Sequence, residues 1–177
     1  MSRQRARRSG VKRSAPRRPV KGGVVGIDRS STDVTSLIDT NVLVYRYDAR
    51  FPEKQNLATD LLRSGIEDNS IRVPYQAVLE FVAAVTKPLV ACNPLLSSRE
   101  ARLEAEEFLL QFVVLYPNEE TLRLALRGAA AYQLSWFDAN LWAYAEYFGL
   151  QELVSEDYQH DRFYGTVRAV NPFLVLD

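Results

Sequence analysis

The stretch Leu37-Ile38-Asp39-Thr40-Asn41-Val42-Leu43-Val44-Tyr45 decides how the rest of the chain is read. Its apolar and β-branched residues have the composition of a strand buried on both faces. Asp39 and Asn41 interrupt the run, and positions two apart in a strand point to the same side. An ionised carboxylate inside a core is costly unless its charge is compensated. One reading makes Asp39 a strand-end residue closing an Asx turn. The other sets it at the carboxyl end of a parallel strand, where open α/β sheets build their sites.

Downstream, helix and strand signals alternate. Pro52 marks a helix start, with Leu57, Leu61 and Leu62 as its apolar stripe and Gly65 as its stop. Ile71-Arg72-Val73 reads as a short strand. Pro74 opens a second helix whose Ala77, Val78, Leu79, Phe81, Val82 and Val85 are apolar almost all round, which predicts burial. Ser97-Ser98-Arg99-Glu100 has the form of a capping box for a helix to about Leu110, and Phe112–Leu115 reads as a strand. Asn118 caps a helix through about Tyr132, with Leu122, Ala125, Leu126 and Ala129 expected inside. After a break at Ser135-Trp136-Phe137, a helix runs from Asp138 to Phe148, with Gly149 as its C-terminal cap. Leu153-Val154-Ser155 and residues 166–170 complete the strands. Strands alternating with helices imply an α/β protein with a parallel sheet covered on both faces.

Composition narrows the chemistry. No apolar run approaches the roughly 20 residues that a membrane helix needs, and no signal-peptide pattern follows the N-terminal charges. One cysteine, Cys92, and one histidine, His160, exclude an internal disulfide and leave too few ligands for structural zinc or an iron–sulfur cluster. A reducing, cytoplasmic setting follows as the expectation. The zero net charge hides an asymmetry. Residues 1–23 carry nine of the 22 Lys and Arg and no acid, so the remaining 13 cations face 22 acids and that part has a formal charge of −9. We read residues 1–34 as a basic, disordered appendage and residues 35–177 as the folded domain.

Four acids stand out from their surroundings. Asp39 ends the apolar run, Glu80 is the only acid in a helix otherwise suited to the core, Asp138 opens an apolar helix, and Asp157 follows a short strand directly. Each has an ordinary alternative: an N-cap for Asp138, a solvent-facing strip for Glu80, a turn for Asp157. Strand ends and helix starts, however, converge on one rim of a parallel sheet. Carboxylates gathered there repel one another, and without a cation at least one would take up a proton. A divalent ion resolves the conflict, and oxygen ligands select Mg²⁺ or Mn²⁺ over zinc.

Asp39-Thr40-Asn41 after an apolar strand, Glu80 in the second helix, Asp138 within Trp136-Phe137-Asp138-Ala139, and Ser155-Glu156-Asp157 after a short strand together resemble a PIN domain. The nearer likeness is to ribonuclease toxins of the VapC type. It covers about residues 35–175, including Tyr164-Gly165-Thr166-Val167-Arg168-Ala169-Val170-Asn171-Pro172-Phe173 at the end. The resemblance implies a three-layer α/β/α fold around a parallel sheet of about five strands. It also implies Mg²⁺- or Mn²⁺-dependent cleavage of single-stranded RNA, with metal ligands at Asp39, Glu80, Asp138 and Asp157. Asn41 would orient the first carboxylate or a bound water, and Ser155 would hydrogen-bond within the cluster. Glu156, beside them, leaves open which neighbour reaches the metal. Such proteins form homodimers held inactive by a small cognate antitoxin. In the family the first strand lies close to the N-terminus, which makes Val24 and Val34 candidate translation starts. Trp136, Tyr158, Arg162 and Arg168 flank the acids and could stack on bases or contact phosphates, with a packing role as the default for Trp136. His160 is expected on the surface and outside catalysis.

A phosphatase of the haloacid dehalogenase kind needs a second Asp two residues after the first, and Asn41 stands there instead. A non-enzymatic RNA- or partner-binding α/β protein would account for the basic appendage but gives no reason for four acids on one rim.

Overall fold

A computed structural model of the chain describes residues 34–88 and 93–174. The basic appendage and Cys92 lie outside the described residues. Six strands form one sheet: β1 (Ser36–Ile38), β2 (Ile71–Pro74), β3 (Val113–Leu115), β4 (Glu152–Val154), β5 (Phe163–Tyr164) and β6 (Val167–Val170). Their order is β3-β2-β1-β4-β6-β5, and every neighbouring pair is parallel except β5 with β6. Five parallel strands are thus the expected sheet. The sixth, β5, escaped the sequence reading because two residues carry no periodicity; it folds back on β6 through a turn at Gly165, φ +65°.

β1 occupies the middle, between β2 and β4. Leu37 and Ile38 are both fully buried and point to opposite faces, as strand neighbours must. Ile38 packs with Val42, Leu62, Val73, Phe81 and Phe108; Leu37 packs with Trp142, Leu153, Tyr158, Val167 and Ala169. Helices α1 (Thr40–Tyr45), α2 (Pro52–Glu67), α3 (Tyr75–Val85) and α4 (Ser98–Gln111) supply the first core. Helices α5 (Glu119–Tyr132) and α6 (Trp136–Phe148) supply the second. The three-layer α/β/α reading therefore holds.

Several local expectations do not. The opening run is not one strand: β1 stops at Ile38, and Thr40–Tyr45 is the helix α1. Asp39 causes the break, with its backbone still extended (ψ 161°) and its side chain accepting from the Thr40 N–H. Burial of Val42 and Leu43 overrides the strand preference of that β-branched segment. Gly65 does not stop α2. A Cβ there would lie 2.1 Å from Ile71 Cδ1, so the glycine lets α2 press against β2 while the helix continues to Glu67. Helix α3 is not buried all round, because Leu79 is exposed. On α5 the inner face is Thr121, Ala125 and Gly128, whereas Leu122 and Leu126 face outward. Small residues are needed inside because α6 lies close: a Cβ on Gly128 would sit 2.2 Å from Trp142 Cζ3. The α6 helix starts at Trp136 with Ser135 as N-cap, so the supposed break is its first turn.

No helix among the described residues is long and apolar enough to cross a membrane.

The Trp142 ring is pinned by its indole N–H, which donates to the Tyr164 carbonyl (2.8 Å), and cannot yield easily. Gly128→Ala should therefore destabilise the protein by about 1–3 kcal/mol, the usual cost of overpacking, despite the better helix propensity of alanine. Chemical unfolding checks this, and an unchanged midpoint would show that the α5–α6 contact has slack.

Candidate active site

Parallel pairing brings the carboxyl ends of β1, β2, β4 and β6 to one edge. The chain leaves β1 toward β2 on one side and later fills β4 and β6 on the other, which makes the β1–β4 gap a topological switch point. Asp39 leaves β1 at this gap, its N–H donating to the Val154 carbonyl (3.0 Å). Ser155 leaves β4 beside it, its N–H donating to the Val170 carbonyl (3.0 Å).

Both Asp39 oxygens are occupied. Oδ1 accepts from the Thr40 N–H at 2.5 Å; Oδ2 accepts from Ser155 Oγ at 2.6 Å and from Asn41 Nδ2 at 3.1 Å. Asn41 Nδ2 also lies 3.2 Å from Ser155 Oγ and 3.2 Å from Asp157 Oδ2. Ser155 Oγ in turn accepts from the Asp157 N–H at 3.1 Å. One amide and one hydroxyl thus hold Asp39 and Asp157 side by side. Asn41 meets Asp39 through the turn of the helix cap, not through strand alternation as expected. Its Oδ1 is buried with no hydrogen-bond partner among the described residues, a cost of about 1–3 kcal/mol accepted while the amide donors serve the acids.

Glu80 joins through α1: Thr40 Oγ1 donates to Oε2 (2.8 Å), and Gln76 Nε2 donates to Oε1 (2.8 Å). Asp138 stands at the third position of α6, where Ser135 Oγ donates to its Oδ2 (2.7 Å) and accepts from its N–H (3.2 Å). It is therefore not the helix N-cap. Tyr158 OH donates to the Asp138 carbonyl (2.5 Å), bridging the β4 edge to α6.

The remaining candidates lie elsewhere. Glu156 turns away from the acids, accepting from Tyr45 OH (2.5 Å) and Lys54 Nζ (2.5 Å). Tyr158 is buried, so it cannot stack on a base. Arg168 faces Glu152, the first residue of β4 and so away from the rim, and pairs with it and with Asp161. Arg162 lies over the Tyr164 ring, 4.7 Å from its centroid. Trp136 is 45% exposed rather than packed, and Phe137 beside it is 65% exposed. His160 is exposed; its Nδ1 accepts from the Asn171 N–H. The sequence reading passed over Gln76, Ser135, Tyr45 and Lys54. Gln76 stands one helical turn before Glu80, a spacing that could have exposed it. Lys54 and Glu156 are separated by about a hundred residues, and no local pattern links them.

The PIN-domain family description matches residues 36–165, most of the chain and all four acids. This chain belongs to the PIN-domain family. No curated protein matches the chain. Its fold is similar to that of a chain in a toxin–antitoxin complex from Klebsiella pneumoniae, with TM-score 0.56, 16% identity, and coverage of 78% of this chain and 98% of that one. A chain of VapBC2 from Rickettsia felis, bound to a DNA fragment from its promoter, gives TM-score 0.57 at 12% identity, covering 77% and 97%. VapC20 from Mycobacterium tuberculosis, a toxin that cleaves the sarcin–ricin loop, gives TM-score 0.51 at 15% identity, covering 67% and 87%.

The electrostatics of this PIN domain follow from the geometry. Burial raises the Asp39 pKa from 3.8 to about 6; hydrogen bonds from Ser155 and Thr40 oppose the rise, and the charges of Asp157 and Glu80 add to it. Among the described residues no three acid, histidine or cysteine side chains are arranged to grip an ion as they stand. Glu80 is turned onto Thr40 and Gln76, and Asp138 onto Ser135. The donor set is nonetheless all oxygen, with one carboxylate buried and two others near enough to add to the rise in its pKa, and that chemistry fits Mg²⁺ or Mn²⁺.

The sign of the Asp39 shift is testable without an ion. Its folded-state pKa lies above the ordinary value, so the native state favours the protonated form and loses stability as pH rises from about 4 to about 6. The Asp39 carboxyl resonance should titrate near pH 6 in metal-free protein. Asp157→Asn should move the midpoint down by removing a like charge, and Ser155→Ala should move it up. A midpoint near 3.8 in all three would contradict this electrostatic picture.

Proposed function

We propose that this PIN domain is a divalent-metal-dependent endoribonuclease that cleaves phosphodiester bonds of single-stranded RNA, and that it is the toxin of a type II toxin–antitoxin pair. The observation that carries the reading is the network in which Asn41 and Ser155 hold Asp39 and Asp157 together while Thr40 ties in Glu80. A protein that only binds RNA would gain nothing from bringing negative charge to the surface where a polyanion must dock.

Asp39, Glu80, Asp138 and Asp157 are the residues that would hold Mg²⁺ or Mn²⁺. When bound, the ion supplies charge stabilisation on phosphoryl oxygens and lowers the pKa of water for hydrolysis. The chain's own polar groups set the geometry. Ser155 and Asn41 fix the spacing of Asp39 and Asp157, Thr40 and Gln76 hold Glu80, and Ser135 holds Asp138. Trp136 and Phe137, exposed immediately before Asp138, offer ring faces to unpaired bases, which favours a single-stranded substrate.

Support for the biological setting comes from similarity to chains of toxin–antitoxin complexes and to a toxin that cleaves an RNA loop. We therefore assign as partners a small antitoxin protein and a second copy of this chain, with action in the cytoplasm. Leu79, Leu122 and Leu126, apolar and exposed on α3 and α5, leave surface for such contacts.

Asp39→Asn, Glu80→Gln, Asp138→Asn and Asp157→Asn should each reduce cleavage of an unpaired oligoribonucleotide in Mn²⁺ to background. RNA binding should persist in all four, and unfolding midpoints should persist in the Glu80, Asp138 and Asp157 variants, whereas Asp39→Asn turns an amide N–H toward the donors that Asp39 now accepts from and shifts the midpoint. An Asp39→Asn protein that cleaves at the wild-type rate would overturn the assignment of this acid cluster as the catalytic site, and a wild type that binds RNA but leaves it intact would favour the non-enzymatic alternative.

A further inference from the structure

We propose that Glu156 is a positioning residue, and that Tyr45 and Lys54 use it to fix the turn carrying Ser155 and Asp157; this rests on the nuclease reading above. Beyond Val154 the turn has left the sheet after the Ser155 N–H bond to Val170. Asp157 is exposed, and its carboxylate is held by Asn41 alone among the described partners, at 3.2 Å. That is weak restraint for a group that must meet others within a coordination shell.

Ser155 and the buried Tyr158 hold the backbone on either side of Asp157, and Glu156 adds a further restraint from outside the sheet. Tyr45 OH donates to Oε1, Lys54 Nζ donates to Oε2, both at 2.5 Å, and Lys54 Nζ also lies 3.2 Å from Tyr45 OH. The pair is mostly shielded, Lys54 keeping 26% and Glu156 22% of side-chain exposure, so solvent screens it less than a surface ion pair. A lysine on its flexible stem would ordinarily hold nothing in place. Here Nζ lies 4.7 Å from the Tyr45 ring centroid, 5.3 Å from that of Phe173 and 5.9 Å from that of Phe51. The rings brace one another as well, Tyr45 standing edge-on to Phe51 and to Phe173.

The connection to the acids runs along one helix. Asn41 and Tyr45 lie four residues apart on α1, hence on one face. Asn41 grips Ser155 and Asp157; Tyr45 grips Glu156. The helix that starts at Asp39 is thus bolted twice to the turn that carries Asp157, and it sets their separation.

The test measures Mn²⁺ affinity by calorimetry, with RNA cleavage as a second readout, in Glu156→Ala, Tyr45→Phe and Lys54→Met. Loss of a direct partner of a ligand weakens metal binding roughly 10- to 100-fold, and loosening the turn one step further out should weaken Mn²⁺ binding by about 10-fold or less. The effect should be largest in Glu156→Ala, with KM for RNA near the wild-type value. Tyr45→Phe and Lys54→Met cannot remove a metal ligand and keep most of the packing, so weakening in them carries the proposal even if Glu156→Ala does not fold. Wild-type affinity in all three, whatever their melting temperatures, would overturn it. Weakening confined to Glu156→Ala would overturn it too, because Glu156 would then act alone. Asp39→Asn, run in parallel, separates the two claims. If wild-type protein leaves RNA intact with Mn²⁺ present, the nuclease reading fails; if Asp39→Asn still cleaves, the acid site is misassigned; in both cases the Mn²⁺ affinities alone judge the clamp.

Discussion

Like charges on one sheet edge are the constraint from which the rest of this structure follows. A central strand buried on both faces ends at a carboxylate that is 8% exposed, and two further acids lie near enough to oppose its ionisation. Hydrogen-bond donors between the acids make this tolerable: an amide, two hydroxyls and the first N–H of a helix. The fold positions them by ending β1 one residue before α1, so cap chemistry and site chemistry use the same residue. The Asp39 side chain both starts the helix and anchors the cluster, which couples local folding to the site.

The short α1 helix therefore has a role out of proportion to its length. Its first turn presents Thr40 to Glu80 and Asn41 to Asp157, while its last residue reaches Glu156. Val42 and Leu43, fully buried, fix its rotation against the core. Displacing this helix would shift the contacts to Glu80 and Asp157 together, so the core packing of α1 and the spacing of the acids are one problem.

Much of this was legible in the residues. The alternation of elements, the caps at Ser97 and Asn118, and the C-terminal Gly149 all report local preferences that the tertiary fold does not oppose. The acids were legible because an ionisable residue in an apolar segment demands compensation. What could not be read was set by long-range packing. A strand composition over 42–45 became a helix because burial outweighed propensity. Leu122 and Leu126 face outward because α5 must turn Ala125 and Gly128 toward the Trp142 ring. Thr40, Tyr45 and Lys54 reach Glu80 and Glu156 from helices distant in sequence, and only Gln76, on the same helix as Glu80, gave a local hint. The stretch before residue 34 is outside the described structure, and its basic character remains a property of sequence alone.

The central claim is that the rim acids form one cation site in which Asp39 must give up a proton. Calorimetric titration with Mn²⁺ at pH 6, repeated in two buffers of different ionisation enthalpy, measures that linkage directly. The account predicts saturable binding that releases roughly half a proton per ion from a group titrating near this pH, and loss of that release in Asp39→Asn. Binding with no proton release, or Asp39→Asn binding indistinguishable from wild type, would contradict it.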